Sequence, residues 1–74
     1  MKVFQFLLSG EDKTIALVVG APSEERATEL IAEDYDLVED RYEEDGVEVY
    51  RSGEIPGVTS DSEFVQEIFS TEEL

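Results

Sequence analysis

The chain has no cysteine and no histidine in its 74 residues. Without cysteine neither a disulfide framework nor a thiolate zinc site can form, and the redox compartment is left open. Without histidine the commonest transition-metal ligand and the usual base at neutral pH are both missing. Positive charge is scarce as well: five Lys and Arg stand against 20 Asp and Glu, a formal net charge of -15. That balance argues against direct binding to DNA, RNA or an anionic membrane and points to a basic partner. The longest apolar run, Ile15 to Val19, is far too short to span a bilayer, and the start MKVFQFLL lacks a small-residue cleavage site. The expected location is therefore the cytoplasm. No glycine-rich phosphate loop is present, since Gly53 and Gly57 flank a proline behind an acidic stretch.

What the chain does have is enough apolar material for one small core. Hydrophobic residues make up 41 %, with four Phe and three Tyr, more than acidic disordered tails usually carry. The length suits a single domain, residues 1–74, near the lower limit for a core without disulfides or metals. Lys2 to Ser9 and Thr14 to Gly20 both alternate with period two and are apolar on both faces, so they read as an antiparallel hairpin turned at Gly10 to Lys13. Ser23 offers a cap to a helix that opens with Glu24 and Glu25 and buries Ala27, Leu30, Ile31 and Tyr35.

Beyond the helix, Leu37 to Glu44 reads as a half-buried strand. Asp45-Gly46 is a two-residue hairpin signal that sets Glu43 opposite Glu48 and Asp40 opposite Arg51. Ser52 to Thr59 reads as a loop. Ser60 and Glu63 have capping-box spacing ahead of Phe64, Val65, Ile68 and Phe69, which predicts a second short helix. After Ser70 the tail TEEL is expected to fray. The expected fold is thus α+β in ββαββα order, with a mainly antiparallel four-stranded sheet and two helices. Two strands apolar on both faces need two covers: helices on opposite faces, or a second copy of the chain over one of them. A monomer or a weak homodimer is expected, because like charge disfavours a large interface between copies.

The acids are concentrated. Glu33 to Asp45, EDYDLVEDRYEED, holds eight carboxylates against Arg41 alone, and twelve of the 20 acids lie between Glu24 and Glu48. Abundance makes any catalytic pair a matter of chance, and a raised carboxyl pKa needs a pocket, so no enzyme is expected. An EF-hand loop with Gly46 as its sixth residue would start at Arg41 and end at Ser52, where carboxylates are required. No metal and no cofactor are expected. A pattern does emerge in the spacing: Glu25, Glu29 and Glu33 recur at one-turn intervals, about 5–6 Å apart on a helix, with Asp36 following. Glu39, Glu43 and Glu48, with Asp45 at the turn, form a second row, at about 7 Å for same-face strand neighbours. Duplex DNA carries about one charge per 1.7 Å of axis, and proteins that bind it display Lys and Arg at matching intervals. These eight acids are the candidate partner-binding residues.

A short acidic chain without cysteine, with an α+β pattern and the row Glu25, Glu29, Glu33, resembles the small phage-encoded DNA-mimic proteins, including anti-CRISPR and anti-restriction inhibitors. That resemblance implies a non-enzymatic inhibitor occupying the basic nucleic-acid-binding surface of a bacterial defence protein or complex, in the host cytoplasm. A second likeness lies in GVEVYRSGEIPGVTSDSEFVQEIF, Gly46 to Phe69: a strand, a proline-glycine turn and a capped helix, similar to the HicB-type antitoxins. It implies neutralisation of a basic RNA-cleaving toxin. The remaining alternative is a small halophilic or accessory domain whose acidity serves hydration and has no nucleic-acid-related partner.

Overall fold

The computed structural model describes residues 1–39 and 46–72. The elements run β1 (Lys2–Gly10), β2 (Lys13–Ala21), α1 (Glu24–Asp34), β3 (Val47–Thr59) and β4 (Phe64–Glu72). The strands form one antiparallel sheet in the order β3-β1-β2-β4. The fold is a small α+β domain, as the periodicities predict. The β1–β2 hairpin lies at its centre, with Phe4 opposite Val19, Phe6 opposite Leu17 and Leu8 opposite Ile15. Its apolar pattern suits that position, since α1 covers one face and neighbouring strands pair with both of its edges.

Two expectations are corrected, and a third falls mostly outside the described residues. The order is ββαββ, because the segment expected as a second helix is strand β4. Phe64, Val65, Ile68 and Phe69 are aromatic or β-branched, and the outer edge of apolar β2 needs a hydrogen-bonding partner, so tertiary pairing overrides the helical spacing. The capping-box residues are used otherwise: the Ser60 hydroxyl donates to the Ser62 carbonyl (2.8 Å), and Glu63 holds Arg26. Pairing continues past Ser70, with Thr71 opposite Thr14 and Glu72 opposite Lys13.

The second correction is that Ser52 to Thr59 belongs to β3. Its turn residues still act locally: Lys2 pairs with Thr59 but Phe4 with Glu54, so Ile55 to Val58 bulge out of the ladder around Gly57, whose φ of 79° suits glycine. Third, Leu37 makes one parallel bridge to Val47, with hydrogen bonds of 2.9 Å from Val38 N to Val47 O and from Val47 N to Asp36 O. Val47 to Arg51 pair with β1. The expected hairpin partners Asp40 to Glu44, and the turn residue Asp45, lie outside the described residues.

One face of the sheet carries the core. Phe4, Phe6, Leu8, Ile15, Leu17 and Val19 pack beneath Ala27 and Ile31 of α1, with Leu30, Tyr35 and Val65 at the margin. Among the described residues no polar or charged side chain is buried. The opposite face holds Gln5, Leu7, Ala16 and Val18, and no described helix covers it. At one end of that face Phe64 lies over Gly20: a β-carbon there would come within 2.5 Å of both the Phe64 ring and the Ser60 hydroxyl. Among the described residues no helix is long and apolar enough to cross a membrane.

Candidate partner-binding surface

Helix α1 carries the leading group of acids. Ser23 caps it, its Oγ accepting from Arg26 N at 3.2 Å, and Glu24 and Glu25 lie in the first turn, where the helix dipole favours negative charge. The dipole explains nothing further along. Glu33 and Asp34 fall in the last turn, which holds no cation, and Glu25, Glu29 and Glu33 repel one another at i,i+4 spacing. The helix is held instead by its buried residues, Ala27 and Ile31, both fully inaccessible.

Three polar contacts fix it to both outer strands. Near its start the Ser52 hydroxyl of β3 donates to Glu24 Oε1 at 2.6 Å. In its first turn Arg26 forms a two-pronged pair with Glu63, Nε to Oε2 at 2.8 Å and Nη2 to Oε1 at 3.2 Å. At its end the Tyr35 hydroxyl donates to Glu67 Oε1 of β4 at 3.3 Å. The pairing holds the Glu63 carboxyl below the usual carboxylate range through its hydrogen bond to Arg26, and raises the Arg26 guanidinium through the same bond. Burial pushes the Tyr35 phenol up, aided by the charge of Glu67 and the hydrogen bond to it.

Glu25, Glu29 and Glu33 are all exposed, so the row spans about 12 Å along the helix axis. Arg26, the one cation on the helix, lies 3.7 Å from Glu29 but directs its shorter bonds to Glu63. The row therefore keeps its negative field. Asp36 and Glu39 follow the helix and are also exposed. Glu48 is elsewhere: it pairs with Ser9 on the sheet face opposite the helix and is half-buried. The sheet thus separates Glu48 from the helix row. Glu43 and Asp45 lie outside the described residues.

Sequence reasoning did not find the residues that hold the helix in place: Arg26, Glu63, Glu67 and Ser52. The solitary Arg26 in an acidic helix was the available signal, since such a cation needs a carboxylate partner. Among the described residues no group of three or more acids is placed to hold a metal ion. No family model, curated protein or solved structure matches the chain.

Proposed function

We propose that the protein acts without turnover, by presenting the acids of α1 to the basic nucleic-acid-binding surface of another protein, in the manner of the small DNA-mimic inhibitors of bacterial defence systems. The observation that carries this reading is the mounting of the helix. A row of mutually repelling carboxylates, unfavourable for the helix itself, is held in place by a buried apolar stripe and three polar ties. Rigidity matters because a pre-ordered row loses little conformational freedom when it binds. Glu25, Glu29 and Glu33, with Asp36 and Glu39 beyond them, form the contact surface; Glu48, on the other side of the sheet, stands apart from it. The antitoxin likeness is weaker, because the segment that would supply its capped helix is strand β4.

The test is capture from a bacterial lysate on the immobilised protein, washed first with duplex DNA and then with rising salt. The reading expects nucleic-acid-binding proteins to be released by DNA or by moderate salt, since the contact is electrostatic. Retention of nothing specific at low salt would assign the acidity to solvation. In that case unfolding that loses cooperativity at low salt would support the halophilic alternative.

A further inference from the structure

We infer that the sheet face opposite α1, which no described helix covers, is the interface of a homodimer, in which two copies pack sheet against sheet. This inference stands apart from the proposed function, because it uses the side of the molecule away from α1.

The register defines the face. One row crosses all four strands as Arg51, Leu7, Ala16 and Phe69, and the next as Gly53, Gln5, Val18 and Gln66. Beside them Glu48 pairs with Ser9, and beyond Ser9 lie Thr14 and Thr71. On a chain of net charge -15, these rows hold one acid, Glu48, and one base, Arg51. Phe69 in the central row is 50 % exposed. Tyr50 and Ile68, the extra residues where the β3 and β4 registers shift, are exposed 58 % and 59 %. A neutral, partly apolar face on so acidic a molecule is not adapted to a cationic ligand.

A second copy fits this face in charge and in size. Sheets packed face to face lie about 10 Å apart, and each helix layer lies about another 10 Å beyond its own sheet. The two acidic helices then stand about 30 Å from each other, several Debye lengths at physiological salt. Glu48 and Arg51 occupy adjacent rungs of β3, and no ion pair joins them to each other. A two-fold axis across the centre of the face overlaps the two sheets fully, and Glu48 and Arg51, of opposite sign, leave the face without net charge. Four strands at about 4.8 Å and eight residues at about 3.3 Å give roughly 500 Å² per face. Two such faces in full overlap reach about 1,000 Å², the lower bound for a specific interface.

The salt dependence separates this contact from the proposed partner binding. Net repulsion between two acidic copies opposes dimerisation, so salt strengthens it; salt weakens attraction to a basic partner. The experiment is sedimentation velocity of the full chain from about 5 to 500 µM, in low and high sodium chloride. The expected result is a dimer fraction that rises with concentration and is larger in high salt. Phe69→Glu and Gln66→Glu, both at exposed positions, are expected to weaken the dimer at least tenfold while circular dichroism stays that of the folded domain. Gln66→Glu keeps the test valid if Phe69→Glu unfolds. Glu29→Gln, on the helix side, is expected to leave the high-salt dimer intact. A chain that is monomeric throughout in high salt, a dimer that dissociates as salt rises, or folded variants that dimerise unchanged would each overturn the inference. A monomer would leave the face to a lipid surface or an unrelated protein.

Discussion

Replacing Ile31 with alanine tests whether the acidic helix is held by its buried stripe. Ile31 is fully inaccessible and lies in the core cluster beside Ala27. Truncating a buried isoleucine removes its transfer free energy and leaves a cavity, together about 2–5 kcal/mol. A domain of this length is stable by roughly 4–11 kcal/mol, at about 0.05–0.15 kcal/mol per residue. The substitution should therefore remove a large fraction of the total. At about 4–8 °C per kcal/mol for a chain of this size, a loss of about 3 kcal/mol lowers the melting temperature by roughly 12–24 °C. Urea unfolding followed by circular dichroism in 0.5 M salt measures the change while screening surface repulsion. Leu30→Ala, at a half-buried position, should cost clearly less. A loss below about 1 kcal/mol for Ile31→Ala would refute the docking of α1 as the source of its rigidity.

Ser23→Ala removes the acceptor for Arg26 N and should cost about 0.5–2 kcal/mol in the same urea assay. Gly20→Ala forces the Phe64 ring and Ser60 hydroxyl aside and should cost about 1–3 kcal/mol, seen as a lower urea midpoint. The Glu63 carboxyl is depressed in the folded state, so its contribution is present above the ordinary carboxylate pKa of about 4.3 and is lost as pH falls through the lowered value. The gap in urea midpoint between the parent protein and Arg26→Gln should therefore close between pH 7 and pH 2. The Tyr35 phenol is raised, so its contribution is present below about pH 10 and is lost as pH rises through the folded value; Tyr35→Phe should flatten that limb of a urea profile extended above about pH 10.

The parts of the fold that were legible are those fixed by local pattern. The double alternation of Phe4, Phe6, Leu8 and Ile15, Leu17, Val19 identifies the central hairpin, and Ser23 with Ala27 and Ile31 identifies the capped helix. Beyond Val47 the local signals mislead for a physical reason. Phe64, Val65, Ile68 and Phe69 satisfy a helical stripe as well as a strand interrupted by one bulged residue, and only the unfilled edge of β2 decides between them. Pro56 and Gly57 truthfully mark a break in regular pairing, but β3 absorbs that break as a bulge and continues to Thr59.

For the candidate surface, helical spacing alone places Glu25, Glu29 and Glu33 on one exposed face, and the structure agrees. The position of Glu48 was not legible, because it depends on which neighbour β3 takes. Pairing with β1 in the register Ser9 to Glu48 sends it to the side away from the helix. The ties from Arg26 to Glu63 and from Tyr35 to Glu67 span 37 and 32 residues, and local pattern cannot specify contacts at that range.

The central claim is that the row on α1 makes the contact with a basic partner. The most direct measurement compares the parent protein with the double variant Glu29→Lys, Glu33→Lys, both immobilised, for capture of DNA-releasable proteins from the same lysate. The substitutions lie on exposed helix positions, turn the Glu25–Glu29 repulsion into an attraction and leave positions 29 and 33 alike in charge as before, so the variant is expected to stay folded by circular dichroism. The account predicts that the folded variant loses most of the captured protein. Equal capture by the two would contradict the claim and remove the helix row as the binding surface.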